Sequence, residues 1–207
     1  MSQENQDKVD MTIKTYNEIA ETYSRMYSDI NRNSKNRDYF LSLLKPKNHI
    51  LDLGCGHGKD IGIFLEQNYI VTGIDLSDSF IEIASKKFPE ANILKQDLRY
   101  PEFSKNYFDA VWASASLLHV PRTELDQTLK NIYQIIKPKG IFYSSFQLGK
   151  DETIKSKLYG TKSKKRYFAQ YSKEEYDEKI IKSGFEIIKG TENFYESKWY
   201  SVFAKKI

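Results

Sequence analysis

The sequence predicts an α/β fold built on a mostly parallel sheet, and three features of the chain carry this prediction. Short apolar runs alternate with segments of helical spacing through most of the 207 residues, as repeated strand–helix units do. Several of these runs end in an aspartate. Three glycines at every second position, Gly54, Gly56 and Gly58, follow the first such aspartate. We therefore expect seven strands with helices on both faces, in a single domain over residues 1–207.

The first elements follow from periodicity. A helix is predicted over about 9–27, because apolar and aromatic side chains recur there at spacings of three and four, whereas residues 1 to about 8 are polar enough to fray. A second short helix is expected at 37–44. The apolar run at 50–53 predicts a strand, and the helical spacing at 60–67 behind the glycines makes these a strand-to-helix turn.

The rest of the chain repeats this alternation. Further strands are predicted at 70–74, 92–94, 108–112, 140–146, 185–189 and 199–205. Further helices are predicted at 78–87, 123–136 and 173–182. Pro138 and Gly140 should stop one helix, and Ser172 with Glu175 forms a capping box that starts the last one. The last two strands leave no room for a helix between them, so we expect an antiparallel pair.

The glycine turn indicates a ligand site at the carboxyl end of the sheet. Glycine lets the backbone approach a ligand closely, and Asp52 before the turn accepts hydrogen bonds from an amine or hydroxyl. Asp75 lies 17 residues past Gly58, where a βαβ unit delivers a carboxylate to ribose hydroxyls. Asp97 ends a third apolar run. Each acid alone is more often a helix cap or a turn residue, but together they favour an adenosyl ligand.

Two other nucleotide motifs do not fit the turn. A dinucleotide fingerprint beginning at Gly54 needs glycine at position 59, which is Lys59. A phosphate-binding P-loop needs a Gly-Lys-Ser/Thr sequence that is missing from this turn. Tight binding of NAD is therefore not expected.

Residues 52–58 (DLGCGHG), 73–77 (GIDLS) and 96–98 (QDL) resemble the first three motifs of class I S-adenosylmethionine-dependent methyltransferases. The resemblance continues through residues 108–113 and 135–142, and points to the small-molecule branch typified by ubiquinone and menaquinone biosynthesis. It implies a Rossmann-like sheet, with S-adenosyl-L-methionine as cofactor and S-adenosyl-L-homocysteine as product.

The resemblance also implies roles for individual residues. The backbone from Gly54 to Gly58 would lie against the methionine and ribose parts of the cofactor, and Asp75 would hold the ribose hydroxyls. Asp97 would take the adenine amino group while the backbone of Leu98 faces the ring. His57 occupies a variable position and receives no role. The complete set of expected cofactor contacts is Tyr23, Asp52, Gly54, Cys55, Gly56, Gly58, Asp75, Leu76, Asp97, Leu98 and Ala113.

The acceptor side has three candidate catalytic residues. His119 follows the fourth predicted strand, and it is either a general base or a loop residue that donates to a backbone carbonyl. Tyr16 lies in residues 1–45, which resemble a helical lid, although simple core packing also explains its position. Arg166, flanked by aromatics in the basic insertion 147–172, is expected to face an anionic acceptor group. Lys162, Lys164 and Lys165 nearby are expected to be solvated in a mobile loop.

Composition narrows the function further. The local excess of positive charge over 150–170 leaves the remainder of the chain close to neutral, which argues against binding duplex nucleic acid. One cysteine, Cys55, and no cysteine–histidine cluster predict neither a disulfide nor a metal site. No apolar run reaches membrane-spanning length, and the first residues do not resemble a signal peptide, so we expect a cytoplasmic protein. The oligomeric state is not predicted.

Three functions are consistent with these observations. The first is transfer of a methyl group to an oxygen or nitrogen of a small molecule. The second is a tRNA or protein methyltransferase, against which stands the absence of an N/D-P-P-Y/F motif after the fourth strand, where residues 112–115 read WASA. The third is a non-catalytic adenosyl-binding module, because fold alone does not establish turnover.

Overall fold

A computed structural model describes residues 2–28, 33–159, 162–194 and 197–207. The strands are β1 His49–Leu53, β2 Ile70–Asp75, β3 Asn92–Lys95, β4 Phe108–Ser114, β5 Ile136–Gln147, β6 Glu152–Tyr159, β7 Lys162–Ala169, β8 Phe185–Phe194 and β9 Lys198–Lys206. The helices are α1 Gln3–Met26, α2 Ser34–Ser42, α3 Lys59–Glu66, α4 Asp78–Lys87, α5 Leu125–Ile135 and α6 Lys173–Lys182. Two short 3₁₀ turns, Leu117–His119 and Arg122–Glu124, lie between β4 and α5.

Seven strands form the main sheet in the order β3-β2-β1-β4-β5-β9-β8. The first five are parallel to one another, with Leu51 of β1 opposite Thr72 of β2 and Val111 of β4. β9 pairs antiparallel with both β5 and β8. The predicted α/β class, the parallel sheet and the C-terminal antiparallel pair are therefore confirmed. The strand order reverses beside β1, so a crevice opens between the carboxyl ends of β1 and β4.

Helices cover both faces of this sheet, and each face has its own core. On one face Leu129 and Ile132 of α5 and Ile180 of α6 are fully buried in one core cluster, which also includes Val111 of β4 and Phe142 of β5. On the other face Trp112 of β4 stacks on Tyr143 of β5, with ring centroids 3.8 Å apart. These cores hold the strand ends in place, because each large buried side chain contributes about 1.5–3 kcal/mol.

The N-terminal helix begins earlier than the sequence predicts. Residues up to about 8 were expected to fray, but α1 starts at Gln3, with the Ser2 hydroxyl accepting from the Asn5 backbone N–H. The Asn5 side chain donates to Thr123 and Glu124, and Lys8 pairs with Glu152 at 2.9 Å. Polar contacts with distant parts of the chain therefore order a segment whose composition alone suggests disorder.

The basic insertion is a two-stranded hairpin, not the mobile loop that the sequence suggested. β6 and β7 pair antiparallel and form a separate sheet, which we call the hairpin. Lys164 is partly buried and pairs with Glu18 of α1, whereas Lys165 is exposed as expected. The side chain of Lys162 lies outside the described part of the chain. The loop prediction failed because the usual alternation is reversed: Ile154 and Leu158 are 54% and 64% exposed, while the lysines between them point inward.

The segment before β5 also differs from the prediction. The helix ends at Ile135, and the strand begins at Ile136 rather than at residue 140. The register between β4 and β5 shifts there, and Lys139 adopts a φ of +66°. Pro138 is tolerated because it lies in this irregularity, which takes up the residues between the two regular parts of the pairing.

Candidate active site

The turn after β1 is held by backbone hydrogen bonds that leave its glycines at the crevice. The N–H groups of Gly54 and Cys55 both donate to the Ile74 carbonyl at 2.9 Å. Gly54 and Gly56 have φ angles of +78° and +54°, in the left-handed region that favours glycine. A Cβ atom on Gly54 would lie 2.5 Å from the Ser116 Cβ. The turn therefore needs glycine at this position both for its conformation and for close packing.

Two carboxylates flank this turn in different hydrogen-bonding states. Asp75 is anchored, because its carboxylate accepts from the N–H groups of Gly56 and Ser77, each at 2.9 Å. Asp52 is 3% exposed, and no group in the described ranges donates to its carboxylate. Burial and the nearby charge of Asp60 raise the pKa of Asp52 well above its usual value. Burial also raises the pKa of Asp75. Asp52 thus has unused acceptor capacity facing the crevice.

Asp97 is held by an arginine that sequence reasoning did not identify. The Asp97 carboxylate accepts from Arg99 Nε at 3.0 Å and from Arg99 Nη2 at 2.6 Å. Arg99 also pairs with Glu124 at 2.9 Å and donates to Gln6 of α1. These contacts fix the orientation of the Asp97 carboxylate and connect the segment after β3 to α1. Arg99 was missed because the motif that identifies Asp97 ends at Leu98.

One cavity of about 570 Å³ joins these elements, a size typical of small-molecule sites. The predicted site residues that line it are Tyr16, Tyr23, Asp52, Gly54, Cys55, Gly56, Asp75, Leu76, Asp97, Leu98, His119 and Arg166. Ala113 and Gly58 do not line it. Ala113 is fully buried in the core of β4, and Gly58 packs against Phe88 at the start of α3. Ser114 and Ala115 line the cavity in place of Ala113, because β4 extends beyond the predicted residue 112.

The three candidate catalytic residues lie together at one side of the cavity. Arg166 Nη1 donates to the Tyr16 hydroxyl at 2.8 Å, and that hydroxyl lies 2.8 Å from His119 Nε2. His119 Nδ1 lies 2.7 Å from the Tyr167 carbonyl oxygen. A carbonyl only accepts, so Nδ1 carries the proton and Nε2 accepts from Tyr16. The direction of every hydrogen bond from Arg166 through Tyr16 and His119 to Tyr167 is thereby determined.

The charge states of His119 and Tyr16 follow from their surroundings. Burial and the Arg166 charge lower the pKa of His119 to about 3, and burial raises the pKa of Tyr16. At neutral pH His119 is therefore neutral and Tyr16 is protonated. The contact between His119 and Tyr167 is also the alternative that the sequence left open, in which the histidine holds its loop by donating to a carbonyl.

Several further residues of the site were not identified from the sequence. Lys155 and Lys157 of β6 line the cavity, as do Asn33 and Asn36 near α2. His57, which receives no role in the sequence analysis, is 8% exposed and lines the cavity with no hydrogen-bond partner in the described chain for its Nε2. Burial is the main cause that lowers its pKa to about 4. Only the reversed alternation of β6 offered a sequence signal for the two lysines.

Among the residues described, no three His, Cys, Asp or Glu side chains are grouped so that they could hold a metal ion. No helix in those same ranges is both long enough and apolar enough to cross a membrane.

Comparison with known proteins finds methyltransferases. Residues 50–140 match a family model described as a methyltransferase domain. The chain is 34% identical over 114 residues to YqeM of Bacillus subtilis (strain 168), itself provisionally assigned as a methyltransferase, covering 51% of this chain and 46% of that protein. It is 32% identical over 121 residues to the ubiquinone biosynthesis O-methyltransferase of Coxiella burnetii (strain Dugway 5J108-111), covering 56% and 49%. The chain thus spans about half the length of these relatives.

A solved structure gives the same fold over nearly the whole chain. The 1,6-didemethyltoxoflavin-N1-methyltransferase of Burkholderia thailandensis, bound to 1,6-didemethyltoxoflavin and S-adenosylhomocysteine, superposes with a TM-score of 0.73 at 16% identity, covering 94% of this chain and 87% of that one. Residues 50–140 are thus similar to a methyltransferase domain, and the chain has the fold of this solved methyltransferase, as the sequence predicts. The matched region ends at residue 140, so α1 and the hairpin lie outside it.

Proposed function

We propose that this chain transfers a methyl group from S-adenosyl-L-methionine to an oxygen or nitrogen of a small-molecule acceptor. The observation that carries the proposal is the cavity, in which the carboxylates of Asp52, Asp75 and Asp97 face α1 and the hairpin. α1 and the hairpin cover the crevice, which suits a small acceptor better than a macromolecule. The ubiquinone and toxoflavin relatives are named as an O- and an N-methyltransferase, so the proposal includes both acceptor atoms.

The strand-end residues fit the cofactor. Asp52 is a buried carboxylate without a donor in the described chain, which suits the ammonium group of the methionine part. Asp75 keeps lone pairs free for the ribose hydroxyls, since each of its oxygens accepts one backbone N–H. Asp97 and Leu98 would hold the adenine ring. The other residues proposed to contact the cofactor are Tyr23, Gly54, Cys55, Gly56 and Leu76.

On the acceptor side, we propose that Tyr16, His119 and Arg166 position the acceptor. S-adenosylmethionine supplies a methyl group already activated by its sulfonium. The chain's task is then to hold the acceptor atom in line and to exclude water. A histidine with a pKa of about 3 is a weak base at neutral pH. His119 instead orients the Tyr16 hydroxyl, and Arg166 fixes that hydroxyl from the other side.

A labelling experiment tests the proposal. The protein is incubated with S-adenosylmethionine labelled in its methyl group and, in separate reactions, with a metabolite extract, total tRNA and a protein extract. We expect label in small molecules, and none in a matched reaction with Asp75→Ala. Label in RNA or protein would instead support the macromolecular alternative. Cofactor binding without any transfer would leave a non-catalytic adenosyl-binding module.

A further inference from the structure

The inner face of the hairpin brings two cations together. Lys155 of β6 lies directly opposite Arg166 of β7 in the antiparallel register, and both side chains line the cavity. Lys155 Nζ and Arg166 Cζ each lie 5.1 Å from the centre of the Phe168 ring. Like charges directly opposite each other destabilise a strand pair. An arrangement with this cost calls for a compensating group.

No carboxylate in the described chain compensates this pair. Neither Lys155 nor Arg166 forms an ion pair with the described Asp and Glu residues, whereas Lys164, on the same hairpin, pairs with Glu18 of α1. Lys8 of α1 pairs in turn with Glu152 of β6. The contacts between the hairpin and α1 are therefore neutralised outside the cavity, while Lys155 and Arg166, which face into it, have no carboxylate partner in the described chain.

The hydrogen bonds of these two side chains leave donors free. Arg166 is 9% exposed; its Nη1 donates to Tyr16 and its Nε has no partner in the described part of the chain. Lys155 donates to the Gln147 side chain. Burial and the neighbouring Arg166 charge lower the pKa of Lys155. A buried guanidinium nitrogen without an acceptor is costly, so an oxygen ligand at this point would remove the penalty.

We propose that Lys155 and Arg166 form an oxyanion subsite, and that the methyl acceptor carries a carboxylate or a comparable small oxyanion bound between them. This inference rests on the proposed methyl transfer and names the chemical class of its substrate. The cofactor also contains a carboxylate. The proposal assigns the subsite to the acceptor because both cations are carried by the hairpin, whereas the cofactor is proposed to lie against the strand ends.

The test measures anion binding directly and does not need turnover. Protein loaded with S-adenosylhomocysteine and labelled with ¹⁵N is titrated with sodium acetate, or with the neutral analogue acetamide, at an ionic strength held constant with sodium chloride. The Arg166 Nε–H resonance is identified by its loss in Arg166→Lys. We expect a saturable shift with acetate and none with acetamide. Lys155→Met should weaken acetate binding by roughly tenfold, the scale of one hydrogen bond between charged groups.

Two controls separate this subsite from general charge effects. Lys164→Met removes a hairpin cation that already has an acidic partner, so acetate affinity should be unchanged. In chloride alone, Lys155→Met should raise the melting temperature because it removes a like-charge contact, and Lys164→Met should not. An unshifted Arg166 resonance with acetate, an equal response to acetamide, or equal loss of acetate binding in both variants would overturn the subsite.

A further arm distinguishes the two sources of carboxylate. The acetate titration is repeated on protein without S-adenosylhomocysteine. If acetate shifts the Arg166 resonance only in this ligand-free protein, and Lys155→Met weakens S-adenosylhomocysteine binding by tenfold, the carboxylate belongs to the cofactor and the acceptor assignment fails. If acetate binds as expected but the labelling experiment shows no methyl transfer, the proposed function fails while the anion site stands.

Discussion

The cavity has two walls built in different ways. The strand-end wall consists of the turn Gly54–Gly58 with Asp52, Asp75 and Asp97, and the geometry of its turn comes from hydrogen bonds of backbone N–H groups to the end of β2. The hairpin wall depends on side chains far apart in sequence, such as the Thr15 hydroxyl that donates to the Lys165 carbonyl at 2.7 Å. The first wall is thus set by local motifs, and the second by long-range contacts that leave little trace in the sequence.

The walls also differ in how firmly they are held. The strand-end wall belongs to a seven-stranded sheet with a core on each face. The hairpin is a two-stranded sheet of its own, and α1 covers it. Two-stranded hairpins are marginally stable alone, so the hydrogen bonds to α1 should decide how often this wall opens.

The largest expected effect concerns the strand-end wall. Asp75→Ala should weaken binding of S-adenosylmethionine by about 1.5–3 kcal/mol for each hydrogen bond lost to the carboxylate, which two ribose hydroxyls would bring to at least ~10²-fold. Calorimetric titration measures this directly. Asp78→Ala is the matched control, because Asp78 is a nearby acid that pairs with exposed Lys95. Unchanged affinity in Asp75→Ala would remove the cofactor assignment for this wall.

A smaller effect is expected where α1 meets the hairpin. His119→Ala and Tyr16→Phe should each lower kcat by about tenfold or less, because the pair positions the acceptor rather than taking its proton. Steady-state rates with the acceptor found by labelling measure this, and cofactor affinity should stay unchanged. A general base would cost ~10²–10⁴-fold, so a loss of that size in His119→Ala would show that the histidine accepts the proton despite its lowered pKa.

The difference between the two walls explains which features could be predicted from the sequence. The turn at Gly54 and the positions of Asp52, Asp75 and Asp97 were predictable, because strand period, glycine spacing and strand-end acids are local features. Tyr16, His119 and Arg166 were each candidates from the sequence. The direction of the hydrogen bonds between them could not be predicted, because it depends on the Tyr167 carbonyl, which accepts from His119 Nδ1. This contact depends on folding rather than on spacing.

The misses have physical causes as well. The hairpin was read as a loop because Lys155 and Lys157 face the cavity while Ile154 and Leu158 face solvent, which reverses the pattern that marks a strand. Function overrides the pattern at such positions. Ala113 was placed in the cavity because the predicted β4 was two residues too short.

A pH experiment separates His119 from Asp52, because the pKa values of these two residues shift in opposite directions from their ordinary values. His119 has a folded pKa of about 3, below the ordinary 6.5, so its contribution to stability is present above about pH 6.5 and is lost as the pH falls towards 3. Asp52 has a raised pKa, so its contribution is present at low pH and is lost as the pH rises through its folded value. The contributions of His119 and Asp52 therefore respond to acid in opposite directions.

Chemical denaturation at pH 7 and pH 5 measures this difference. In the wild type, His119 should lower the free energy of unfolding as the pH falls from 7 to 5. In His119→Gln this decrease should be smaller by up to about 2 kcal/mol, the value for one proton over 1.5 pH units. Asp52→Asn should not reduce that loss. Equal pH dependence in wild type and His119→Gln would show that the histidine titrates normally in the folded state.

The smallest effect tests how the hairpin is attached. Thr15→Val keeps the shape of the side chain but removes the hydroxyl that donates to the Lys165 carbonyl, so that the carbonyl loses its side-chain donor. The cost should be about 1 kcal/mol, and it should fall on the hairpin alone, because β6 and β7 pair only with each other among the described strands. Amide hydrogen exchange should then be roughly fivefold faster in β7 and unchanged in β1. Thr191→Val is a control on a threonine whose hydroxyl lies 3.4 Å from Asn36, away from α1 and the hairpin. Equal acceleration in β1 would mean that the two walls open together, and the division of the cavity into a firm and a mobile wall would then be wrong.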